Sequence, residues 1–382
     1  YDKQTYYPLT QNQMGLYFAC VKERGTLMYN IPVELSFGDD VEPEKLHSAI
    51  LRVIEGHPYM KTRFSVRDNE PVQLRMDDAQ AEIPVITCTA EEYAVRRAGF
   101  VRPFSFFEGA LFRIEICVLP DGVKLLGDFH HMIFDGGSLD IFLHDLTAAY
   151  EGARIEAETF TSFDLALLER EKAQGSAWAE DKAFFHHRLG DGEGATVFPT
   201  DKKSDGPGAP RAVYAAIAKS SVEQAIKGRG VTASNLFLAA TMLVSGRFAS
   251  AKNVRIAAIS NGREGAHVQR NVGMLVKTLP MVMDVDPTLT AAAYMNDVQR
   301  EMNEVLAHQT YSYLQAASDY GYNAQMLYAY QGGVVSQYKI GDTSVAIRPL
   351  GINSAKFPIS VNIQENDTDF IVEAEYDDAV YN

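Results

Sequence analysis

The sequence predicts a mixed α/β protein that folds as two lobes, and three observations support this prediction. The chain has 382 residues, whereas a single domain usually has about 150. Segments with helical and with strand periodicity alternate along its length. They are interrupted by the glycine-rich run 190–194 and by residues 201–210, whose composition is typical of exposed loops. We therefore expect an N-terminal lobe of residues 1–180 and a C-terminal lobe of residues 181–382.

The N-terminal lobe combines helices with a hairpin. Residues 111–118 alternate as a strand does, and 123–129 form the partner strand across the turn Pro120–Gly122. Apolar residues at intervals of three and four predict helices. The helices predicted in this way are 43–56, 139–150 and 161–189.

The C-terminal lobe repeats this mixture of periods. Its predicted elements are the helices 233–248 and 292–308 and the strands 254–259, 357–364 and 369–376. Two mixed lobes leave a cleft between them, and binding sites tend to form in such clefts. We therefore expect the functional residues at a cleft.

The composition excludes several classes of partner. Subtracting 50 acidic from 35 basic residues gives a net charge of −15, whereas nucleic acids and anionic membranes attract clustered Lys and Arg. No apolar stretch approaches the roughly 20 residues of a membrane-spanning helix. Cys20, Cys88 and Cys117 have no paired spacing, which predicts a reducing compartment, and Tyr1–Leu9 lacks a signal-peptide pattern. We expect a cytoplasmic protein that binds neither nucleic acid nor membrane.

The densest group of reactive side chains is the run 128–138, which joins the hairpin to the following helix. It reads Asp-Phe-His-His-Met-Ile-Phe-Asp-Gly-Gly-Ser. Side chains alternate along a strand, so His130 and His131 should point opposite ways, one towards a cleft and one into the lobe. Gly136–Gly137 permit a tight turn, and Ser138 is expected to cap the helix. An imidazole suits proton transfer near neutral pH, and N–H groups at the turn can bind developing negative charge.

Less specific interpretations compete with a catalytic one. Two adjacent histidines are by themselves more often packing or surface residues, and we assign His57 to a helix end or the core and His186–His187 to a solvated helix face. A zinc or iron site built from Asp128, His130 and Asp135 is conceivable, because carboxylates and imidazoles bind both metals. Histidines that face opposite ways disfavour such a site, and we expect no metal. The complete pattern at a strand-to-helix turn favours catalysis.

The run His130–Gly136 resembles the H-H-x-x-x-D-G signature of nonribosomal peptide synthetase condensation domains, which belong to the chloramphenicol-acetyltransferase-like superfamily of acyltransferases. Gly15, Pro58 and Lys277 replace the family's Arg, Glu and Asn in three weaker motifs. All the weaker motifs occur in the family's order. They are Thr10–Tyr17 (similar to S-x-A-Q-x-R-L-W), His57–Phe64 (H-E-x-L-R-T-R-F), Asn261–Arg263 with Val272–Thr278 (G-R and I-G-x-F-V-N-T), His308–Tyr313 (H-Q-D-Y-P-F) and the late strands Phe357–Tyr376.

The resemblance implies a fold and a reaction. The fold would be two chloramphenicol-acetyltransferase-like lobes in a V with a central tunnel. The reaction would join a carrier-bound acyl or peptidyl thioester to a carrier-bound aminoacyl acceptor through an amide bond. No cofactor would bind to the chain itself, because 4'-phosphopantetheine arrives on the donor and acceptor peptidyl carrier proteins. The chain would be a monomeric domain of a larger multidomain protein, beside an adenylation domain.

The resemblance also implies roles for individual residues. His131 would meet the acceptor amine, either as a base or only as an orienting group, and Gly136 would present its N–H near the reacting carbonyl. His130 and Asp135 would support the site. Asp135 would pair with a buried arginine; the candidates, in order, are Arg263 and Arg63. The residues expected along the tunnel are Ser138, Asn271 and Gly273.

The sequence also indicates where carrier proteins would dock, and it leaves two alternatives to a condensation function. Acidic carrier proteins should dock at local basic spots, near Lys22 and Arg24 and within residues 263–270. One alternative is a stand-alone coenzyme-A-dependent acyltransferase of the same superfamily, and another is a catalytically silent docking domain, which the intact signature disfavours. Heterocyclisation domains carry Asp in place of His130, and Gly136 favours condensation over epimerisation.

Overall fold

The chain forms two compact units, each with its own hydrophobic core. The structure is a computed structural model that describes residues 1–206, 208–332, 338–349 and 357–382. The first unit consists of residues 1–171, 261–276 and 338–349, and the second of the other described residues. The sequence analysis placed one boundary at residue 180. The two later segments belong to the first unit because one pairs with its sheet and the other binds Asp135.

The described helices and strands alternate as expected for a mixed α/β protein, and this fold class is confirmed. The helices are α1 (Gln11–Lys22), α2 (Pro43–Gly56), α3 (Ala90–Phe100), α4 (Gly136–Tyr150), α5 (Ser162–Ala173), α6 (Ser176–Leu189), α7 (Lys219–Ile226), α8 (Ala233–Phe248), α9 (Ala291–Ala307) and α10 (Tyr313–Tyr320). The strands are β1 (Tyr6–Pro8), β2 (Asn30–Phe37), β3 (Arg63–Arg67), β4 (Glu70–Leu74), β5 (Val85–Thr87), β6 (Phe112–Leu119), β7 (Gly122–His130), β8 (Pro210–Ala218), β9 (Asn253–Ser260), β10 (Lys277–Asp284), β11 (Met326–Gly332), β12 (Lys339–Ile340), β13 (Thr343–Ser344), β14 (Ala346–Pro349), β15 (Ile359–Glu365) and β16 (Asp369–Asp377).

A five-stranded sheet in the order β14-β2-β7-β6-β5 forms the centre of the first unit. The pair β6–β7 is the predicted hairpin, with Phe112 opposite Phe129. Helices α2 and α4 bury their apolar side chains in the same core as the sheet. These side chains are Leu46, Ile50, Val53, Ile54, Phe142 and Leu146. This packing fixes the end of β7 and the start of α4, where the candidate site lies.

The second unit contains a six-stranded mixed sheet in the order β10-β9-β11-β15-β16-β8. Strand β11 is parallel to both of its neighbours, and the other pairings are antiparallel. Met242 of α8 and Val298 of α9 are fully buried in the core of this unit. Each unit therefore combines a sheet with packed helices, as the sequence predicts.

The element bounds differ from the predictions in two informative places. Helices α2 and α8 have the predicted bounds. The helix predicted over 161–189 is wrong as a single element, because Gly175 adopts an extended conformation that ends α5 and begins α6, and glycine is a poor helix former. Helix α4 begins at Gly136 instead of residue 139, because Asp135 caps it.

Within the described ranges, no helix combines the length and the apolar character that crossing a membrane requires.

Candidate active site

Strand β7 brings His130 and His131 to the end of the central sheet of the first unit. The His130 N–H donates to Leu111 O at 2.8 Å, and the His131 N–H donates to Tyr29 O at 2.8 Å. The His130 side chain is buried, whereas His131 is half-buried. This difference agrees with the predicted alternation of the two side chains.

His130 is a neutral residue of the core. Its Nδ1 accepts the Met132 N–H at 3.1 Å, so the ring proton is on Nε2, which lies 3.8 Å from Cys20 Sγ. The rings of Phe104 and Phe106 pack edge-on against it. Burial, followed by the nearby charges of His131 and Arg113, lowers the pKa of His130 to about 3. His130 is therefore uncharged near neutral pH.

The hydrogen bond of His131 defines its tautomer. Its Nδ1 lies 3.1 Å from Phe134 O, and because a carbonyl can only accept, Nδ1 carries the proton. In the neutral ring, Nε2 therefore carries the lone pair. An imidazole in this tautomer can accept a proton at Nε2.

The start of α4 follows directly after this histidine pair. Asp135 is the N-cap, and its Oδ1 accepts the Ser138 N–H at 2.8 Å. The prediction that Ser138 caps the helix is therefore wrong: Ser138 is the residue whose N–H is capped. Gly136 is exposed, a Cβ at this position would meet open space, and its N–H has no acceptor among the described residues. The first N–H groups of a helix are available to an anionic group in this way.

Asp135 is a buried carboxylate that organises the surrounding chain. Arg263 Nη2 donates to its Oδ1 at 2.7 Å, and Arg263 Nη1 donates to its Oδ2 at 3.1 Å. The N–H groups of Leu275 and Val276 also donate to Oδ2, at 2.9 and 3.0 Å. Burial alone would raise the pKa of Asp135, but Arg263 and Ser138 outweigh it and the pKa is lowered. Asp135 is therefore ionised and serves as an anchor.

The arginine that pairs with Asp135 is Arg263, the first of the two candidates. The second candidate, Arg63, makes no contact with Asp135 in the described chain. It lies on β3 and lines a separate cavity of about 450 Å³ together with Arg102 and Arg113. Sequence spacing left the choice open because Arg63 and Arg263 both lie in motifs of the family.

The three residues expected along a tunnel belong to the buried network around Asp135. Ser138 Oγ lies 2.8 Å from Asp135 Oδ1 and accepts the Gly273 N–H at 2.9 Å. Asn271 O accepts the Arg263 Nη2 hydrogen at 3.1 Å. The Ser138 and Asn271 side chains are 0% and 1% exposed, and a Cβ on Gly273 would lie 2.3 Å from Ser162 Oγ. All three residues thus pack segment 261–276 against the start of α4.

Gly137 is a site residue whose specific role the sequence analysis missed. A Cβ at Gly137 would lie 2.3 Å from Arg263 Nη1, so the guanidinium approaches the helix backbone where a side chain would otherwise stand. The second glycine of the Gly-Gly pair was the available signal, but sequence alone does not show which side chain fills the space.

The residues of the conceivable metal site have other partners. Asp128 is fully buried, and it accepts hydrogen bonds from Arg113 Nη1 at 2.7 Å and Asn30 Nδ2 at 2.9 Å. Burial raises the pKa of Asp128 to about 6, although Asn30 and Arg113 oppose the shift. Asp135 is engaged by Arg263. Among the described residues, no three His, Cys, Asp or Glu side chains are grouped as metal ligands.

A cavity of about 330 Å³ reaches His130 from the surface of the first unit. Cys20, Phe104 and Phe106 contribute to its walls, and the exposed Arg24 also lines it. Glu23 and Glu108 line it as well. The cavity therefore combines apolar walls with charged side chains of both signs.

Comparisons with known proteins identify the family of the chain. The family model described as Condensation domain matches residues 3–382. Surfactin synthase subunit 2 of Bacillus subtilis (strain 168) is 25% identical over 318 residues, which are 82% of this chain and 9% of that protein. Surfactin synthase subunit 1 of the same organism is 24% identical over 396 residues, covering 100% of this chain and 11% of that protein. The chain thus spans about a tenth of the length of these relatives.

Solved structures show the same fold. The first condensation domain of the calcium-dependent antibiotic synthetase, in complex with a substrate analogue, has a TM-score of 0.78 at 17% identity and covers 100% of this chain and 93% of that one. The X-domain from teicoplanin biosynthesis has a TM-score of 0.81 at 18% identity, with 100% and 92% covered. Because the family model spans nearly the whole sequence, the resemblance of the motifs is confirmed: the chain belongs to the condensation-domain family of nonribosomal peptide synthetases.

Proposed function

We propose that this domain forms an amide bond between an acyl or peptidyl thioester on a donor carrier protein and an aminoacyl group on an acceptor carrier protein. The observation that carries the proposal is the tautomer of His131. Its Nδ1–H donates to Phe134 O, and the Nε2 lone pair suits the proton of an attacking amine. This arrangement lies beside the open N-terminus of α4.

The proposed reaction needs no nucleophile from the protein. The acceptor amine attacks the thioester carbonyl, and Nε2 of His131 accepts the amine proton. As the C–N bond forms and the C–S bond breaks, the donor arm leaves as a thiolate, which takes the proton from His131. The N–H of Gly136 stabilises the oxyanion that develops on the carbonyl oxygen, aided by the helix N-terminus.

The substrates in this proposal arrive on phosphopantetheine arms that belong to the partners. The partners are a donor and an acceptor carrier protein and an adjoining adenylation domain. A relative of much greater length, such as surfactin synthase subunit 1, supports a place within a larger multidomain protein.

An assay of amide formation tests the proposal. The purified domain is mixed with a panel of acyl thioesters on one carrier protein and aminoacyl thioesters on a second, and the acceptor-bound product is detected by mass spectrometry. We expect product only with the domain present and both arms loaded. Product from coenzyme A thioesters alone would indicate a stand-alone acyltransferase. Carrier binding without product across the panel would indicate a silent docking domain and overturn the proposal.

A further inference from the structure

A second buried charge cluster of the first unit surrounds His57. This residue follows the end of α2 and is 0% exposed, as its assignment to a helix end or the core predicts. Its Nδ1 lies 2.5 Å from Glu158 Oε1, and its Nε2 lies 2.7 Å from Asp145 Oδ2. Carboxylate oxygens only accept hydrogen bonds, so satisfying both contacts requires a proton on each side of the ring. The cluster therefore holds one proton more than a neutral imidazole between two carboxylates.

The charges around His57 balance only when this proton is present. Arg270 Nη2 donates to Asp145 Oδ2 at 2.9 Å, and the exposed His144 lies 3.2 Å from Asp145 Oδ1. With His57 protonated, two cations, His57 and Arg270, face two carboxylates, Asp145 and Glu158. Loss of the proton leaves a net negative charge on side chains that are at most 4% exposed, which is costly.

The pKa shifts in the cluster favour retention of the proton. Burial alone would lower the pKa of His57, but its hydrogen bonds to Asp145 and Glu158 outweigh burial and the pKa is raised. Burial also raises the pKa of Glu158. The pKa of Asp145 is lowered to about 2, because His57, His144 and Arg270 outweigh its burial.

Both carboxylates of the cluster hold the segment that also binds Asp135. Glu158 Oε1 accepts the Val272 N–H at 3.2 Å, and Asp145 binds Arg270. The same segment, residues 261–276, contains Arg263, which pairs with Asp135, the N-cap of α4. Asp135 and Asp145 are ten residues apart on the sequence, which corresponds to about 15 Å along a helix. Segment 261–276 is thus attached at two points along α4.

We propose that His57 is a positioning residue for amide formation. Through Asp145 and Glu158 it holds segment 261–276 against the first unit, and this keeps Arg263 paired with Asp135, close to His131 in the chain. This role rests on the proposed function. His57 touches no substrate and acts through Asp145 and Glu158.

The direction of the pH dependence follows from the raised pKa of His57. The folded protein binds this proton more tightly than the unfolded chain, whose histidines titrate near pH ~6.5. The stability from the cluster is fully present below that value and is lost as pH rises through the folded pKa.

Hydrogen exchange and kinetics of two variants test the role of His57. His57→Gln removes the cluster charge. His47→Gln is the matched control: His47 lies on α2, directly before His57, and has no hydrogen bond, ion pair or ring contact among the described residues. We expect faster exchange of amides 261–276 in His57→Gln only. We further expect kcat to fall roughly 10–100-fold with little change in KM, as for a small misplacement of reacting groups. The alkaline limb of the wild-type kcat profile should disappear in this variant.

Other outcomes decide against the inference. Unchanged exchange of segment 261–276 in His57→Gln, or an unchanged alkaline limb, would overturn it. If His57→Gln does not fold, Arg270→Gln replaces it, because Arg270 is 54% exposed. Faster exchange of amides 261–276 is then the required result, and unchanged exchange overturns the inference. The exchange measurement needs no substrate. A wild-type domain that forms no amide would therefore refute the proposed function while the link between His57 and segment 261–276 is still tested.

Discussion

At the scale of single residues, the polar groups of the site divide into one that can exchange a proton and several that are held in place. The Nδ1–H of His131 donates its hydrogen bond to Phe134 O, so Nε2 is the ring atom that can accept a proton. Asp135 is ionised, 1% exposed and surrounded by donors, so it cannot serve as a base without losing Arg263. The tautomer of His131 thus suits it to proton transfer, and the ionised state of Asp135 suits it to structural support.

Because Asp135 pairs with Arg263, we expect replacement of either residue to destabilise the protein. Removing one partner leaves the other buried and unpaired, at a cost of about 3–5 kcal/mol. We expect melting temperatures to fall in Asp135→Asn and in Arg263→Ala, and the double variant to be clearly less destabilised than the sum of the two. Differential scanning calorimetry measures all three. Unchanged melting together with lost activity would identify Asp135 as a direct participant in the reaction.

At the scale of elements, the local pattern predicts most of the fold and long-range contacts account for the rest. Helices α2 and α8 were predictable because their apolar periodicity extends over their whole length. The break at Gly175 and the early start of α4 depend on single backbone conformations. The attachment of segment 261–276 to α4 depends on residues more than 100 positions apart. Motif order identified Asp135 and Arg263, but neither Gly137 nor the contacts of Ser138.

The two glycines at the start of α4 should respond differently to replacement by alanine: Gly137→Ala should lower stability, and Gly136→Ala should lower the rate. In Gly137→Ala, the new Cβ displaces the Arg263 guanidinium, and we expect a loss of about 1–3 kcal/mol in the free energy of unfolding. Gly136→Ala is the matched control for stability, because its Cβ meets open space. We expect it to fold as the wild type does and to lower the rate, since the methyl group enters the space assigned to the thioester. Chemical denaturation of both variants measures the difference, and equal stability would refute the packing role of Gly137.

At the scale of the whole molecule, the charge of −15 makes long-range attraction of an acidic carrier protein unfavourable. Local cations must then provide the docking contact. Of the two spots expected from the sequence, residues 263–270 offer little, because Arg263 is 8% exposed and Arg270 is paired with Asp145. Lys22 and Arg24 are exposed, and Arg24 lines the cavity that reaches His130.

Reversal of these two charges tests carrier docking. In the double variant Lys22→Glu, Arg24→Glu, we expect a higher KM for a carrier-bound substrate. We expect an unchanged KM for the same acyl group on soluble pantetheine, which makes no contact through a carrier protein. Steady-state kinetics with both substrates measures this difference. An equal effect on both substrates would place the change in the substrate site or the fold and contradict docking at this spot.

The central claim is that Nε2 of His131 accepts the proton of the attacking acceptor amine. His131→Asn tests it directly, because the Asn amide can still donate to Phe134 O while nothing replaces Nε2. The measurement is the single-turnover rate of amide formation with both carrier-bound substrates saturating, alongside the melting temperature. The account predicts a rate about 10²–10⁴-fold below that of the wild type at an unchanged melting temperature. A rate close to that of the wild type would contradict it.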